Sequence, residues 1–169
     1  MEIRIREAVL EDVPEVAHVH VTSWQAAYHG LMPDEFIKQQ TIERRTKLWT
    51  NVVSKRLANL LIAEENQKVV GFICFEKAQP NLPSQSIEIS SIYLLPSHFG
   101  KGVGSKLMEE CESKLASSSV SQVTLWALDT NKPALTFYKK HGFIETGKRS
   151  KERLSSVVLN DLELVKILE

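Results

Sequence analysis

The chain has 169 residues, 43% hydrophobic and 25% charged, which fits one folded domain with a sizeable core. Its 21 basic residues balance 21 acidic ones, so no overall field favours a nucleic acid or an anionic membrane as partner. The longest markedly apolar run, Val69 to Phe75, is far short of the roughly twenty residues a membrane-spanning helix needs, and no basic segment with a long apolar run opens the chain; the expectation is a cytoplasmic protein without a signal peptide.

Ile3-Arg4-Ile5-Arg6 alternates like a strand. Asp12 followed by Glu15 reads as a capping box, and Val13, Val16, Ala17, Val21, Trp24 and Tyr28 mark one helical face that stops at Gly30. A second helical region is predicted from about Pro33 to Leu57, with a break near Gln40-Thr41. Leu60 to Ala63 and Val69 to Phe75 flank a polar turn and read as a hairpin. The segment 77–86, with Pro80 and Pro83, is a loop, and Ile87 to Leu94 is the fourth strand. Its alternation slips: Ile87 and Ile89 share one phase, Ile92 and Leu94 the other. Either a β-bulge near Ser90-Ser91 or burial of both strand faces accounts for this.

The stretch from Leu94 to Met108 carries three of the seven glycines, Gly100, Gly102 and Gly104, and leads into a helix from Gly104 to about Ala116. Glycines let main-chain N–H groups approach a ligand, and a helix that starts there adds unpaired amides and the positive end of its dipole. A phosphate suits such a place. Val123 to Leu128 is the fifth strand. After it, Asn131, Pro133, Ala134, Phe137, Tyr138 and His141 follow at helical spacing until Gly142. Ile144 to Thr146 and Val157 to Leu168 read as the last strands, joined by a charged connection. Cys74 and Cys111 form no motif and are expected as reduced core thiols. His18 and His20, two apart on a helix, do not face each other, so no metal site is expected.

The glycine loop, followed about thirty residues later by Asn131, Ala134, Phe137-Tyr138 and Gly142-Phe143, resembles the GNAT superfamily of acetyl-CoA-dependent N-acetyltransferases. One departure stands out. The family usually has Gln or Arg at the first position of Q/R-x-x-G-x-G/A, where this chain has Phe99; because the loop acts through its backbone, binding is expected to survive. The resemblance implies an α/β (α+β) GNAT fold over residues 1–169. It would have a mixed, mostly antiparallel sheet of about seven strands, about four flanking helices, and fourth and fifth strands splayed apart. It also favours the bulge in the fourth strand.

The implied activity is acetyl transfer from acetyl-CoA to a primary amine of a small molecule, by direct attack in a ternary complex and with no metal. Amides of Gly100, Lys101, Gly102, Val103, Gly104 and Ser105 would cradle the pyrophosphate, and the backbone of Ile92, Tyr93 and Leu94 would pair with the pantetheine arm. Asn131 is expected at the cofactor, as a helix cap, or both. Tyr138 matches the family's general acid, with core packing as its other reading. Glu88, six residues before Leu94, is the candidate base; otherwise it is a polar strand residue or an attractor for a cationic substrate. Trp24 and Tyr28, one helical turn apart, either wall an acceptor pocket or pack the core.

A protein N-terminal or lysine acetyltransferase is an alternative, as is a non-catalytic acyl-CoA-binding regulator. A dehydrogenase fits worse, because Gly100, Gly102 and Gly104 do not make G-x-G-x-x-G and no βαβ unit opens there. Homodimers are common among proteins of this kind.

Overall fold

Two strands that begin as neighbours and then part organise the molecule. In the computed structural model, which describes residues 1–169, β4 (Gln85–Leu94) and β5 (Val120–Leu128) pair in parallel from Gln85 with Val120 to Glu88 with Thr124. Beyond Glu88 the ladder ends, and the rest of β4 has a partner on one side only. They are the centre of a seven-stranded sheet that also contains β1 (Arg4–Glu7), β2 (Asn59–Glu65), β3 (Lys68–Phe75), β6 (Ile144–Leu154) and β7 (Val157–Ile167). The order is β1-β2-β3-β4-β5-β7-β6, and every pair except β4·β5 is antiparallel.

The helices divide between the faces. Against one face, α4 (Val103–Ala116) contributes Leu107, Met108, Cys111 and Leu115 and α5 (Lys132–Lys140) contributes Leu135 to a core with Ile73, Phe75, Ile87, Ile89, Leu125 and Leu164. Against the other, α1 (Val13–Tyr28) and α3 (Ile42–Ser54) bury Val13, Val16, Ala17, Val19 and Trp49 on Leu60, Ile62, Phe72 and Cys74. Each such large side chain withdrawn from water is worth about 1.5–3 kcal/mol before the entropy of ordering it. Both Cys74 and Cys111 are buried free thiols, and burial pushes Cys111 up to about 12. No helix is long and apolar enough to cross a membrane.

The bulge falls where the alternation slips. Cys74 pairs with Ser91 but Phe75 pairs with Ile89, so Ser90 is the extra residue. Ile87 and Ile89 therefore face the α4 side, whereas Tyr93, of the same parity, packs on the α1 side.

The break expected near Gln40-Thr41 is present: the Thr41 side chain accepts from the Arg44 amide at 3.2 Å and starts α3 anew after α2 (Asp34–Lys38), which makes five α-helices in all. Two other expectations need correcting. The Asp12/Glu15 capping box does not form. The Asp12 carboxylate accepts from Val9 N–H and from the Arg6 guanidinium at 2.7 and 2.8 Å, while Glu15 accepts from the Val69 amide in β3 at 2.5 Å. The last two strands are eleven residues each and join at a tight turn with Ser155 at φ +56. The supposed charged connection is β6 itself, exposed at the sheet edge. Its Lys, Arg and Glu side chains are what an edge strand needs to deter pairing with another chain, and they masked it as a loop.

Candidate active site

The turn from β4 into α4 is shaped by Gly100 and Gly102, with φ of +69 and +80, a left-handed conformation that glycine adopts without penalty. A Cβ at either would meet nothing within 4 Å, so the turn is open on the outside. None of the amides of Gly100, Lys101, Gly102, Val103, Gly104 and Ser105 donates to a backbone carbonyl, and the ladder of α4 resumes with Lys106 donating to Gly102 at 3.1 Å. Six consecutive donors without backbone acceptors thus lie at and just before the positive end of a 14-residue helix. Gly104 serves a second need: a Cβ there would lie 3.1 and 3.2 Å from atoms of the Phe137 ring on α5. The Ser105 hydroxyl and His141 Nε2, 3.0 Å apart, tie the same two helices. Phe99 is half-exposed beside this turn.

The open edge of β4 runs toward that turn. Leu95 donates to Val70 at 2.9 Å, so by strand alternation the main chain of Tyr93 is also turned toward β3, and that of Ile92 and Leu94 toward the gap. Of the three residues expected to offer backbone to a ligand, Ile92 and Leu94 have their main chain on the gap side and Tyr93 does not. Tyr93 contributes its side chain instead: its ring stacks on His20 at 5.0 Å between centroids and lies 5.8 Å from Phe72.

Across the gap, Asn131 caps α5 by accepting from the Ala134 amide at 3.4 Å. Tyr138, on that helix, packs against Phe137 and Phe143 with centroids 5.5 and 6.0 Å apart. Burial, and then the neighbouring Tyr28, hold its hydroxyl well above the usual phenol range. Burial, then Tyr28 and Tyr138, do the same to Tyr93. Burial raises Tyr28 as well, with Tyr93 and Asn131 acting in the opposite sense. Three phenols from α1, β4 and α5 therefore gather over the gap, all protonated at neutral pH.

Glu88 is the last β4 residue paired to β5 before the gap, and it is partly buried. Burial, then Glu76 and Glu163, push its carboxyl above the ordinary range. Its own amide donates to the Glu76 carboxylate at 3.0 Å. On the α1 side of β4 lies an open pocket of about 450 Å³, lined among others by His20, Trp24, Arg45, Trp49, Ser91 and Tyr93. Trp24 packs at a tilt against Tyr28, with centroids 4.6 Å apart, and against Phe36, at 5.8 Å. A second concavity, of about 480 Å³ along the segment 76–87, shares only Glu76 with this pocket and has none of its aromatic residues.

The model of the acetyltransferase (GNAT) family matches residues 19–143. The chain belongs to the GNAT acetyltransferases. It is accordingly an acetyl-CoA-dependent N-acetyltransferase. Among similar GNAT proteins are the N-acetyltransferase YuaI of Bacillus subtilis, 27% identical over 82% of this chain and 79% of its own length, and the spermidine N(1)-acetyltransferase of Thermoplasma acidophilum, 26% identical over 85% and 89%. The PaiA N-acetyltransferase of Thermoplasma acidophilum, solved in complex with coenzyme A, shares the GNAT fold with a TM-score of 0.77. The match covers 99% of this chain and 100% of that one at 23% identity.

Within this GNAT framework, sequence reasoning missed Arg45 and His20. Arg45 shares the inward side of α3 with Trp49, Val52 and Val53, and His20 that of α1 with Ala17, Val21 and Trp24. A charged or imidazole side chain at an apolar helical position was the available signal.

Proposed function

We propose that the chain acetylates the primary amine of a small molecule by direct attack within a ternary complex, residues 1–169 acting as one domain. The observation that carries this reading is the free edge of β4 past Glu88, bounded at one end by six unpaired amides and at the other by an aromatic pocket of small-molecule size. The residues present fit acetyl-CoA. The amides of Gly100 through Ser105 would hold the diphosphate, and the gap-facing main chain of Ile92 and Leu94 would pair with the pantetheine arm. Asn131, at the start of α5, would close the site from the β5 side. When bound, acetyl-CoA supplies an acetyl group on a thioester.

Glu88 would accept the proton of the incoming ammonium through water. Its raised carboxyl is a stronger base than a solvated glutamate. Tyr138 would donate to the departing sulfur. Burial keeps the phenol protonated, and the same dry surroundings raise the thiolate that receives the proton, so the two shift together. Trp24 and Tyr28 would wall the acceptor. The spermidine acetyltransferase among the relatives supports a small amine as acceptor class.

Mass spectrometry after incubation with acetyl-CoA and a panel of polyamines, amino acids, aminoglycosides and peptides tests the proposal. Acetylated small amines are expected. Modification of peptides alone would move the chain to the protein acetyltransferases, and coenzyme binding without any product would make it a regulator.

A further inference from the structure

The pocket beside the β4 bulge carries a charge that the fold leaves unmatched. Arg45 points into its wall with its Cζ 5.8 Å from the centroid of the Trp24 ring. Its single hydrogen bond runs from Nη2 to Gln40 Oε1 at 2.7 Å, and no carboxylate lies within ion-pairing reach. Arg45 Nε is the one buried side-chain polar atom of the chain without a hydrogen-bond partner. A guanidinium keeps its charge at any working pH, so a half-buried one lacking an acid is an anion site waiting for its anion.

His20 points the same way. The Trp49 indole, which can only donate, gives its N–H to His20 Nδ1 at 3.0 Å. With burial holding the ring neutral, the proton must sit on Nε2, which becomes a donor with no acceptor in the chain. His20 also lines the pocket, as do the hydroxyl-bearing Ser90 and Ser91 of the bulge. One carboxylate, Glu76 just past the end of β3, lines the same pocket, and it also accepts from the Glu88 amide on the next strand at 3.0 Å. Two donors without acceptors and one carboxylate around a single pocket match a molecule that carries both an anion and an ammonium.

We propose that this pocket binds the acceptor through an anionic group held by Arg45 and His20, making the natural acceptors amines that also carry a carboxylate or a comparable oxyanion. The inference rests on the reading of the pocket as the acceptor site. It sets an amino-acid-like molecule above a polyamine.

The test uses matched acceptors: methionine against methioninamide, glutamate against its α-amide, and spermidine as the polycation, each followed by coenzyme A release. The acids are expected to exceed their amides in kcat/KM by about ten- to a hundredfold, the worth of a charged hydrogen bond. In Arg45→Met that ratio falls toward one, chiefly through KM, and Arg45→Lys restores part of it; circular dichroism confirms that both variants fold. Amides or spermidine used as well as the acids would overturn the inference while leaving the proposed acetylation of small amines standing. If no amine is turned over although acetyl-CoA binds, the proposed function fails instead. Calorimetry of the acids and amides on the coenzyme A complex then decides the anion preference, equal heats overturning it.

Discussion

Gly104 on α4 and Phe137 on α5 meet so closely that a Cβ on the glycine would stand 3.1 Å from the ring. The contact sets the distance between the helix that starts at the glycine turn and the helix that carries Tyr138. Gly104→Ala must push the ring or the helix away, an overpacking cost of about 1–3 kcal/mol. A lower thermal midpoint and weaker coenzyme A affinity by calorimetry are expected, both recovered in part by adding Phe137→Leu. A variant as stable as the parent would show that the ring yields freely.

Gly102 has space around it, so a side chain there clashes with nothing; the obstacles are φ of +80 and charge. Gly102→Ala should cost about 1 kcal/mol in stability. Gly102→Asp adds a negative charge among the free amides and should weaken coenzyme A binding by about two orders of magnitude or more. Retained affinity in Gly102→Asp would place the diphosphate elsewhere.

Tyr138→Phe keeps the packing against Phe137 and Phe143 and deletes only the hydroxyl. Turnover should fall by about a hundredfold or more while KM for acetyl-CoA stays within a few-fold, as expected for a proton donor. Steady-state kinetics with saturating acceptor check this, and parental turnover would reduce Tyr138 to packing.

Burial lowers His20 from 6.5 to about 3, with the Arg45 charge adding to the shift. The unfolded chain takes up this proton below pH 6.5 while the folded chain refuses it until about pH 3. Stability is therefore complete above pH 6.5 and declines as pH falls through that window, by about 1.4 kcal/mol per pH unit for one proton. Urea unfolding from pH 7 to 4 should show this slope in the parent, added to that of the carboxylates, and lack it in His20→Gln.

For Glu88 the sign differs in kind, because it concerns activity. A carboxyl raised by burial, Glu76 and Glu163 must lose its proton before it can act as base, so the acid limb of kcat/KM should lie above the ordinary carboxylate range. Glu88→Gln should lower the plateau and remove the limb. A profile that keeps its limb in the variant assigns the titration to another group.

What the sequence made legible was whatever rests on main-chain needs. The glycine turn, the Asn131 cap and the slip of phase at Ser90 are each forced by a few adjacent residues, and the structure has them where the chain announces them. Side chains drawn off by distant partners were not legible. Asp12 and Glu15 have the spacing of a capping box, but Arg6 on β1 and the Val69 amide on β3 claim them, and neither competitor is local. The charges of β6 hid a strand because its edge position, which explains them, is a property of the whole sheet. Arg45 and His20 stood in view on apolar stripes, yet only the pocket between α1, α3 and β4 shows what they share.

The single inserted residue at Ser90 has a reach well beyond its strand. By changing which parity of β4 looks up and which looks down, it sends Tyr93 toward the α1 layer while Ile92 and Leu94 stay with the α4 layer. Were Ser90 instead taken into the ladder as an ordinary residue, each neighbour pairing one to one with β3, every side chain downstream would trade layers and Tyr93 would leave the pocket lined by α1 and α3.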